Sequence, residues 1–307
     1  MIETFERSLP HGITLSCRAA GAPGRPLLVF VHGFPEAAFV WDHLLLHFSQ
    51  PGHGGYRCVA PNLRGFERST SPPEVEAYRA KHLVQDLAAL LESEGAPAHC
   101  VVSHDWGGAV GWNLANQRPA LLQRLAVLNS PHPGTFLREL QRNPRQQAAS
   151  AYMNFLVRPD AERLLAEDGY RRLWRFFREG REPAWLTPSL RAQYERVWNG
   201  PEGSPPGTGL VGGCNYYRAS PLRPPTAGDA GAAEVQLPRE MLTVSLPTLV
   251  LWGLQDVALL PELVDGLEEY VPRLQLERVP EASHWIVHEQ PQLVAERLAA
   301  FLQQPVQ

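Results

Sequence analysis

Apolar residues along this 307-residue chain fall into short runs, separated by segments of mixed polar and apolar character. Runs of this length and composition are typical of buried β-strands. Five of them predict strands, at residues 27–31, 100–102, 125–128, 248–252 and 274–279.

Apolar residues recur at helical spacing in the segments between these runs. Three stripes, within residues 83–91, 263–271 and 293–302, each predict a helix that buries one face. Strands that alternate with helices favour an α/β fold, in which a mostly parallel sheet is covered by helices on both faces.

The alternation is interrupted in the middle of the chain. The interrupting region begins as helical, aromatic sequence and becomes dense in Gly and Pro over residues 199–231, where we expect a loop. Regular alternation returns at Leu246. We therefore predict one core, formed by residues 1–134 and 241–307, with a mostly helical insertion of residues 135–240.

The composition is that of an ordinary globular protein, with 44% hydrophobic and 20% charged residues. A formal net charge of −4 gives no reason to expect binding to nucleic acid or to an anionic membrane. The apolar runs are too short to cross a bilayer, and the acidic N-terminal segment does not resemble a signal peptide. The four cysteines are scattered without metal-ligand spacing, so we expect reduced thiols in a cytoplasmic protein.

The stretch SHDWG at residues 103–107 follows a predicted strand and precedes a helical segment. It fits a nucleophile elbow, whose usual pattern is G-x-nucleophile-x-G. Asp105 occupies the place of the nucleophile, where serine is commoner, and Ser103 replaces the first glycine. A carboxylate is ionised near neutral pH and suits attack at an sp³ carbon with a leaving group, which yields an alkyl ester. The alternative is that Asp105 only caps the helix that follows.

Hydrolysis of an alkyl ester requires a general base and an oxyanion hole. The chain order nucleophile, acid, base assigns the base to His284, after the last predicted strand, and the orienting acid to Asp256, after the preceding one. The expected oxyanion donors are the main-chain amides of Trp106, next to the nucleophile, and Phe34, after the first predicted strand.

Five short motifs extend along most of the chain: HGFPE at 32–36, HDWGG at 104–108, NSPHP at 129–133, GLQD at 253–256 and SHW at 283–285. In this order they resemble the epoxide hydrolase branch of the α/β-hydrolase superfamily. The resemblance implies the α/β-hydrolase fold with a helical cap inserted after the sixth strand, and it assigns residues 135–240 to that cap. NLRGF at 62–66 departs from the family's D-x-R-G-Y/F, and we interpret it as a structural turn near the site.

Enzymes of this branch use two cap tyrosines whose hydroxyls bind the epoxide oxygen. NYYR at residues 215–218 resembles the second tyrosine motif, usually N-W-Y-R, which assigns this role to Tyr217. The first tyrosine corresponds to Tyr152, on the basis of the aromatic residue and the proline that follow it. Packing within an aromatic cap is the alternative role of both tyrosines. The resemblance implies that a small-molecule epoxide and water form a vicinal diol, without a cofactor or metal.

A dehalogenase that acts on haloalkanes or haloacids is the nearest competing function, since it also uses an elbow aspartate. Trp106 resembles the halide-binding tryptophan of haloalkane dehalogenases, whereas fluoroacetate-type enzymes usually carry arginine there. The paired tyrosines favour the epoxide. A serine esterase is disfavoured because Ser103 lies two residues before the nucleophile position. A non-catalytic binding protein on the same scaffold is a remote alternative, since the chain has a candidate for each member of the triad.

Overall fold

The computed structural model describes residues 1–177 and 182–305 of the protein. The strands in these residues are β1 (Glu3–Ser8), β2 (Thr14–Ala20), β3 (Leu27–Val31), β4 (Arg57–Pro61), β5 (Cys100–His104), β6 (Leu125–Leu128), β7 (Thr248–Gly253) and β8 (Leu274–Val279). They form one sheet of order β1-β2-β4-β3-β5-β6-β7-β8. Strands β3 to β8 run parallel, whereas β1 and β2 pair antiparallel with their neighbours. The expected mostly parallel sheet is confirmed.

The five strands expected from the sequence are β3, β5, β6, β7 and β8. Four of them are buried at every position, as central strands of a covered parallel sheet should be. Strand β8 is only partly buried because it lies at the edge of the sheet. The sequence pattern missed β1, a polar edge strand, and β2, in which polar residues interrupt the apolar ones. It also missed β4, whose apolar run is short.

The helices of the described residues are α1 (Asp42–Ser49), α2 (Ala80–Glu94), α3 (Trp106–Gln117), α4 (Pro133–Arg142), α5 (Pro144–Ala149), α6 (Tyr152–Leu156), α7 (Ala161–Trp174), α8 (Pro188–Asn199), α9 (Val211–Ala219), α10 (Ile286–Glu289) and α11 (Pro291–Leu302). Helix α1 packs against α11, and α2 packs against α3. The stripes within residues 83–91 and 293–302 lie in α2 and α11, as predicted. Of the helices in residues 1–177 and 182–305, none is long and apolar enough to cross a membrane.

The prediction of a helix over residues 263–271 is wrong. These residues form two separate 3₁₀ turns, Pro261–Val264 and Leu267–Glu269. Between the turns Asp265 is extended and Gly266 has a φ of +74°, so the chain of helical hydrogen bonds is broken there. The apolar side chains of both turns are nevertheless buried, which explains why their spacing resembled that of a helix.

The chain between β6 and β7 contains α4 to α9, and its described residues add no strand to the sheet. This agrees with a helical cap inserted after the sixth strand. Helix α4 already begins at Pro133, and the domain boundaries near residues 134 and 240 remain a prediction.

The loop expected over residues 199–231 is only partly correct. Helix α9 forms within this stretch and is buried over most of its length. Gly212 and Gly213, which have low helix propensity, allow the first turn of α9 to approach the core closely. Tertiary packing therefore outweighs the local tendency of this segment to form a loop.

The strand order places the ends of several parallel strands around one crevice. Strands β4 and β5 lie on opposite sides of β3, so the connections that follow β3 and β5 diverge at the carboxyl edge of the sheet. In open α/β sheets ligands bind at such a switch point. Asp105 follows β5, Phe34 follows β3, and Asp256 and His284 follow β7 and β8 at the same edge.

Candidate active site

Asp105 lies on a sharp turn between β5 and α3, with φ of 50° and ψ of −122°. Few non-glycine residues adopt a positive φ, and strained backbone of this kind often marks a functional site. The helix leaves the turn in a crowded space, because a Cβ on Gly107 would lie 2.2 Å from the main-chain oxygen of Val31. A Cβ on Gly108 would lie 2.3 Å from the side chain of Ser130. The two glycines therefore permit the elbow that the sequence predicted.

Two other roles were considered for residues of the elbow: helix capping by Asp105 and a nucleophilic role for Ser103. The geometry of the elbow supports neither. The Asp105 side chain makes no capping hydrogen bond to α3, a helix that is described in full. Ser103 is fully buried, and its hydroxyl donates to the main-chain oxygen of Ala126 at 3.1 Å. The carboxylate, rather than the serine hydroxyl, is thus presented at the carboxyl edge of the sheet.

The residues expected to form the oxyanion hole lie beside Asp105. The Phe34 amide donates a hydrogen bond to Asp105 Oδ1 at 2.7 Å. Burial raises the pKa of Asp105, whereas His284, His104 and the main-chain amides of Trp106 and Phe34 oppose that rise. Donors that stabilise a carboxylate here are also placed to stabilise an oxyanion formed at the same carbon.

His284 and Asp256 are brought together with Asp105. His284 Nδ1 lies 2.7 Å from Asp256 Oδ2, and its Nε2 lies 3.8 Å from Asp105 Oδ2. Burial lowers the pKa of His284, but the two carboxylates outweigh burial and raise it to about 9. The imidazole is therefore protonated at neutral pH.

Asp256 is held by several hydrogen bonds. The amides of Ala258 and Leu259 donate to Oδ1, and the Asn129 side chain donates to Oδ2, each at 2.9 Å. Burial acts to raise the pKa of Asp256, but His284 and these donors lower it overall. Asp256 therefore stays ionised and can fix the orientation of the imidazole.

Sequence reasoning gave Asn129 no role in this arrangement. Asn129 follows β6 with a φ of 37°, and its Oδ1 accepts a hydrogen bond from the Gly253 amide at 2.9 Å. It therefore joins the ends of β6 and β7 while it orients Asp256. The sequence feature that could have identified Asn129 is a polar side chain directly after a buried strand.

Tyr152 and Tyr217 lie on different cap helices, α6 and α9, and face the elbow. Their ring centroids are 6.1 Å apart, and the Tyr217 ring lies 5.0 Å from that of Trp106. Burial, followed by neighbouring anionic groups, raises the pKa of both tyrosines well above their ordinary value. Both hydroxyls therefore keep their protons at neutral pH and can donate them.

Helix α9 rests directly on the core. A Cβ on Gly212 would lie 2.3 Å from Gly65 Cα, and a Cβ on Gly213 would lie 2.5 Å from the Phe34 ring. The Tyr216 hydroxyl donates to the main-chain oxygen of Arg64 at 3.1 Å. The 62–66 segment, interpreted as a structural turn, is thus the surface on which the helix of Tyr217 is seated.

Arg64 itself belongs to a buried ion pair beneath this turn. Its guanidinium donates to both carboxylate oxygens of Asp86, at 2.5 and 2.6 Å. A bidentate arginine–carboxylate pair restricts the orientation of both groups. The ion pair therefore holds the turn that supports α9.

A second buried network, centred on Glu36, was also missed by the sequence reasoning. Glu36 Oε1 accepts from the Tyr194 hydroxyl at 2.6 Å and lies 2.7 Å from His288 Nε2. Burial acts to raise the pKa of Glu36, but His288 and His104 lower it well below its usual range. His104 Nε2 in turn donates to the main-chain oxygen of His284 at 2.8 Å. The network connects cap helix α8 to the loops around the site. The sequence feature that could have indicated it is the carboxylate of Glu36 in the HGFPE motif.

Two cavities meet at Asp105, Tyr152 and Tyr217. The larger, of about 270 Å³, extends past Met153 and Phe136 between the cap and the core. The smaller, of about 190 Å³, contains the side chains of Asp256 and His284. Within the residues that the structure describes, no group of three or more His, Cys, Asp or Glu side chains is placed to hold a metal ion.

Comparisons with known proteins agree with this architecture. A family model described as alpha/beta hydrolase fold matches residues 26–291. The AB hydrolase superfamily protein YfhM of Bacillus subtilis is 32% identical over 95% of each chain. Epoxide hydrolase 4 of Mus musculus is 31% identical over 98% of this chain and 79% of its own. The crystal structure of a Bacillus megaterium epoxide hydrolase in complex with an inhibitor covers 98% of this chain and 100% of its own, at 31% identity, with a TM-score of 0.86.

The parallel sheet, the helical insertion and the aspartate elbow define an α/β hydrolase whose nucleophile position carries a carboxylate. The chain belongs to the α/β-hydrolase family and, within it, to the epoxide hydrolase branch. The resemblance expected from the five sequence motifs is confirmed.

Proposed function

We propose that the protein hydrolyses epoxides to vicinal diols through an alkyl ester on Asp105. The observation that carries this proposal is the convergence of three kinds of group on one carboxylate. His284 Nε2 lies 3.8 Å from Asp105, the Phe34 amide lies 2.7 Å from it, and the two cap tyrosines line both cavities beside it. A nucleophile, a base and two proton donors are thus gathered around a space that can hold a small substrate.

The first step opens the ring. An Asp105 carboxylate oxygen attacks one ring carbon, the bond from that carbon to the epoxide oxygen breaks, and the oxygen takes a proton from Tyr152 or Tyr217. The tyrosines suit this role because both hydroxyls carry their protons at neutral pH and both side chains line the cavities beside Asp105. The epoxide oxygen remains attached to the product, so a proton donor lowers the barrier directly.

The second step hydrolyses the ester. Ester formation removes the negative charge of Asp105, which is one of the two carboxylates that raise the pKa of His284. The imidazolium can therefore return a proton to the tyrosinate and become a neutral base. His284 then takes a proton from water as the water attacks the ester carbonyl, and the Phe34 and Trp106 amides stabilise the oxyanion. Collapse of this intermediate releases the diol and regenerates the Asp105 carboxylate and the imidazolium.

A substrate panel tests the proposed reaction. Small epoxides, haloalkanes and haloacetates are incubated with the parent protein and with Asp105→Asn, and diol, alcohol and halide are quantified. We expect diol formation from epoxides with the parent alone. Halide release without epoxide turnover would favour the dehalogenase, for which Trp106 beside the nucleophile is the supporting feature. Turnover of neither class would favour the non-catalytic alternative.

The proposal also includes the reactants and the location of the protein. A small-molecule epoxide and water are the reactants, and no nucleic acid is involved. The four cysteines are free and buried, which fits the reducing conditions of the cytoplasm. Fractionation of cells that produce the protein, with detection in the cytoplasmic or the membrane fraction, tests the location.

A further inference from the structure

Two consecutive buried residues, Asn129 and Ser130, follow strand β6 and belong to the NSPHP motif. Strand β6 lies between β5 and β7, and the two side chains reach these opposite neighbours. The Asn129 side chain donates to Asp256, which follows β7, at 2.9 Å. The Ser130 hydroxyl donates to the main-chain oxygen of Asp105, which follows β5, at 2.6 Å. The end of one strand is therefore bonded to both carboxylate residues of the site.

The backbone of Asp105 is strained, and several donors hold it in place. Its φ of 50° and ψ of −122° lie outside the regions that non-glycine residues usually occupy. Its main-chain oxygen accepts hydrogen bonds from the amides of Gly108 and Ala109, at 2.9 and 3.1 Å, as expected for the residue that precedes a helix. Ser130 adds a donor from a position 25 residues away in the chain. Such strain persists only where the surrounding structure over-determines it.

The hydrogen bond from Ser130 restrains the rotation that directs the Asp105 carboxylate. The angle ψ describes rotation about the bond between Cα and the main-chain carbon, so a bond to the main-chain oxygen restricts it. Ser130 is itself fixed, because it is 1% exposed and its main-chain oxygen accepts from the Trp112 indole at 3.2 Å. The hydroxyl is therefore held at one point relative to the elbow.

We propose that Ser130 is a positioning residue for the nucleophile, whose hydroxyl holds the Asp105 backbone so that the carboxylate lies between the Phe34 amide and His284. These two groups lie 2.7 and 3.8 Å from the carboxylate oxygens. The inference rests on the epoxide hydrolysis proposed above, because both of its steps use this carboxylate. Loss of the hydroxyl should slow both steps, whereas a change in a cap tyrosine or in His284 should slow one.

A direct contact with substrate is the alternative role of Ser130, since this residue lines the larger cavity. A hydroxyl has a single proton to donate, and that of Ser130 is already directed at Asp105. It therefore leaves no proton for an epoxide oxygen, which favours positioning over substrate contact.

Ser130→Ala tests the proposal, because it removes the hydroxyl and adds no atom. We expect the alkylation burst and the single-turnover release of diol to slow by about tenfold each, since a small displacement of a reacting group is costly. The two factors should be the same for a small and for a bulky epoxide. The thiol of Ser130→Cys is a weak donor, so the rates of this variant should lie between those of Ser130→Ala and the parent.

Ser103→Ala is the matched control. Ser103 is fully buried, donates to the main-chain oxygen of Ala126 at 3.1 Å and lines neither cavity. This variant also loses one buried hydroxyl, so its Tm should fall about as much as that of Ser130→Ala, but neither step should slow.

A measurement without substrate separates positioning from a general loss of stability. Burial lowers the pKa of His284, and Asp256 and Asp105 together raise it to about 9. If the elbow relaxes and Asp105 moves away, NMR titration should give a lower pKa of His284 in Ser130→Ala than in Ser103→Ala. The His284 signal is identified by its absence from His284→Gln.

An unchanged pKa of His284 in Ser130→Ala would overturn the positioning role. Slowing of only one step, or slowing that varies with the size of the epoxide, would overturn it as well. If the parent forms no diol from any epoxide, the proposed function fails, while the titration of His284 still tests the role of Ser130.

Discussion

The core half and the cap half of the site are held in place by different forces. On the core side, the Asp256 carboxylate accepts hydrogen bonds from side-chain and main-chain amides and lies 2.7 Å from His284. On the cap side, the rings of Tyr152 and Tyr217 pack against each other and against aromatic neighbours, with centroids 5 to 6 Å apart. Directional contacts position the first half, and packing of helices positions the second.

This difference has a kinetic consequence. The groups of the cap half are assigned to ring opening, and His284 and Asp256 are assigned to ester hydrolysis. Asp105 takes part in both steps. Variants of the two halves should therefore slow different steps, which burst kinetics and mass spectrometry can separate. The five predictions below test that division, from the largest expected effect to the smallest.

The largest effect is expected for His284→Gln. Without its base, the protein should still be alkylated, but steady-state turnover should fall by more than about 10⁴-fold. Intact-protein mass spectrometry should show an adduct of substrate mass that maps to the peptide containing Asp105. His53→Gln, which changes an exposed histidine far along the chain from the site, should form diol normally. A His284→Gln protein that accumulates no adduct would contradict the covalent route.

Asp256→Asn should slow ester hydrolysis by about 10³- to 10⁴-fold while alkylation continues, because the imidazole loses the partner that orients it and stabilises its charge. The measurement is single-turnover release of diol from pre-alkylated protein. Asp265→Asn is the control, since Asp265 is exposed and paired with Arg278. Near-normal diol release from Asp256→Asn would show that another residue is the orienting acid, and Glu281 would be tested next.

Tyr217→Phe and Tyr152→Phe should each slow alkylation by about 10²-fold, by analogy with the loss of one donor to a developing oxyanion. Ester hydrolysis should be nearly unchanged, and the double variant should lose almost all ring opening. Stopped-flow fluorescence, with Trp106 beside the nucleophile as the expected reporter, follows the burst. Tyr170→Phe removes a buried hydroxyl outside both cavities and serves as the control. If both single variants show the burst rate of the parent, the tyrosines serve only in packing, and the dehalogenase function is favoured.

Gly212→Ala tests the seating of α9 without touching a proposed reacting group. Its Cβ would lie 2.3 Å from Gly65 Cα, so the helix must shift, and Tyr217 shifts with it. We expect alkylation to slow by roughly tenfold and stability to fall by about 1–3 kcal/mol, as for an overpacked interior. Gly228→Ala, where an added Cβ meets nothing within 4 Å, is the matched control. Equal slowing of alkylation and ester hydrolysis would contradict the proposal that the cap half serves ring opening alone.

The smallest effect concerns pH and stability. The pKa of His284 is raised from 6.5 to about 9 in the folded protein, so its stabilising charge is fully present below pH 6.5 and is lost as the pH rises through about 9. The Tm of the parent should therefore fall over this interval more steeply than the Tm of Asp256→Asn, which lacks one of the two carboxylates responsible. Parallel Tm curves would show that Asp256 contributes little to the raised pKa.

The sequence was most informative where a chemical group follows a buried strand. Asp105, Asp256 and His284 all lie just beyond apolar runs, and parallel strands bring their carboxyl ends to one edge of the sheet. The position of each residue along the chain was therefore enough to predict that they meet. Phe34 was found for the same reason, because it follows β3 next to β5.

Other features depended on contacts between residues that are distant in sequence. Helix α9 forms in a Gly/Pro-rich stretch because Gly212 meets Gly65 and Gly213 meets Phe34, and no local pattern records such an approach. The predicted helix over residues 263–271 is broken at Gly266, although its apolar residues are buried as expected.

The tertiary structure alone decided which further polar side chains support the three residues that the sequence predicted. Asn129 reaches Asp256 across two strand ends, 127 positions apart in the chain. Glu36 meets a tyrosine of the cap and two histidines of the core. Strand periodicity and elbow motifs are local properties that a sequence expresses directly, whereas the pairing of buried charges depends on how the cap packs on the core.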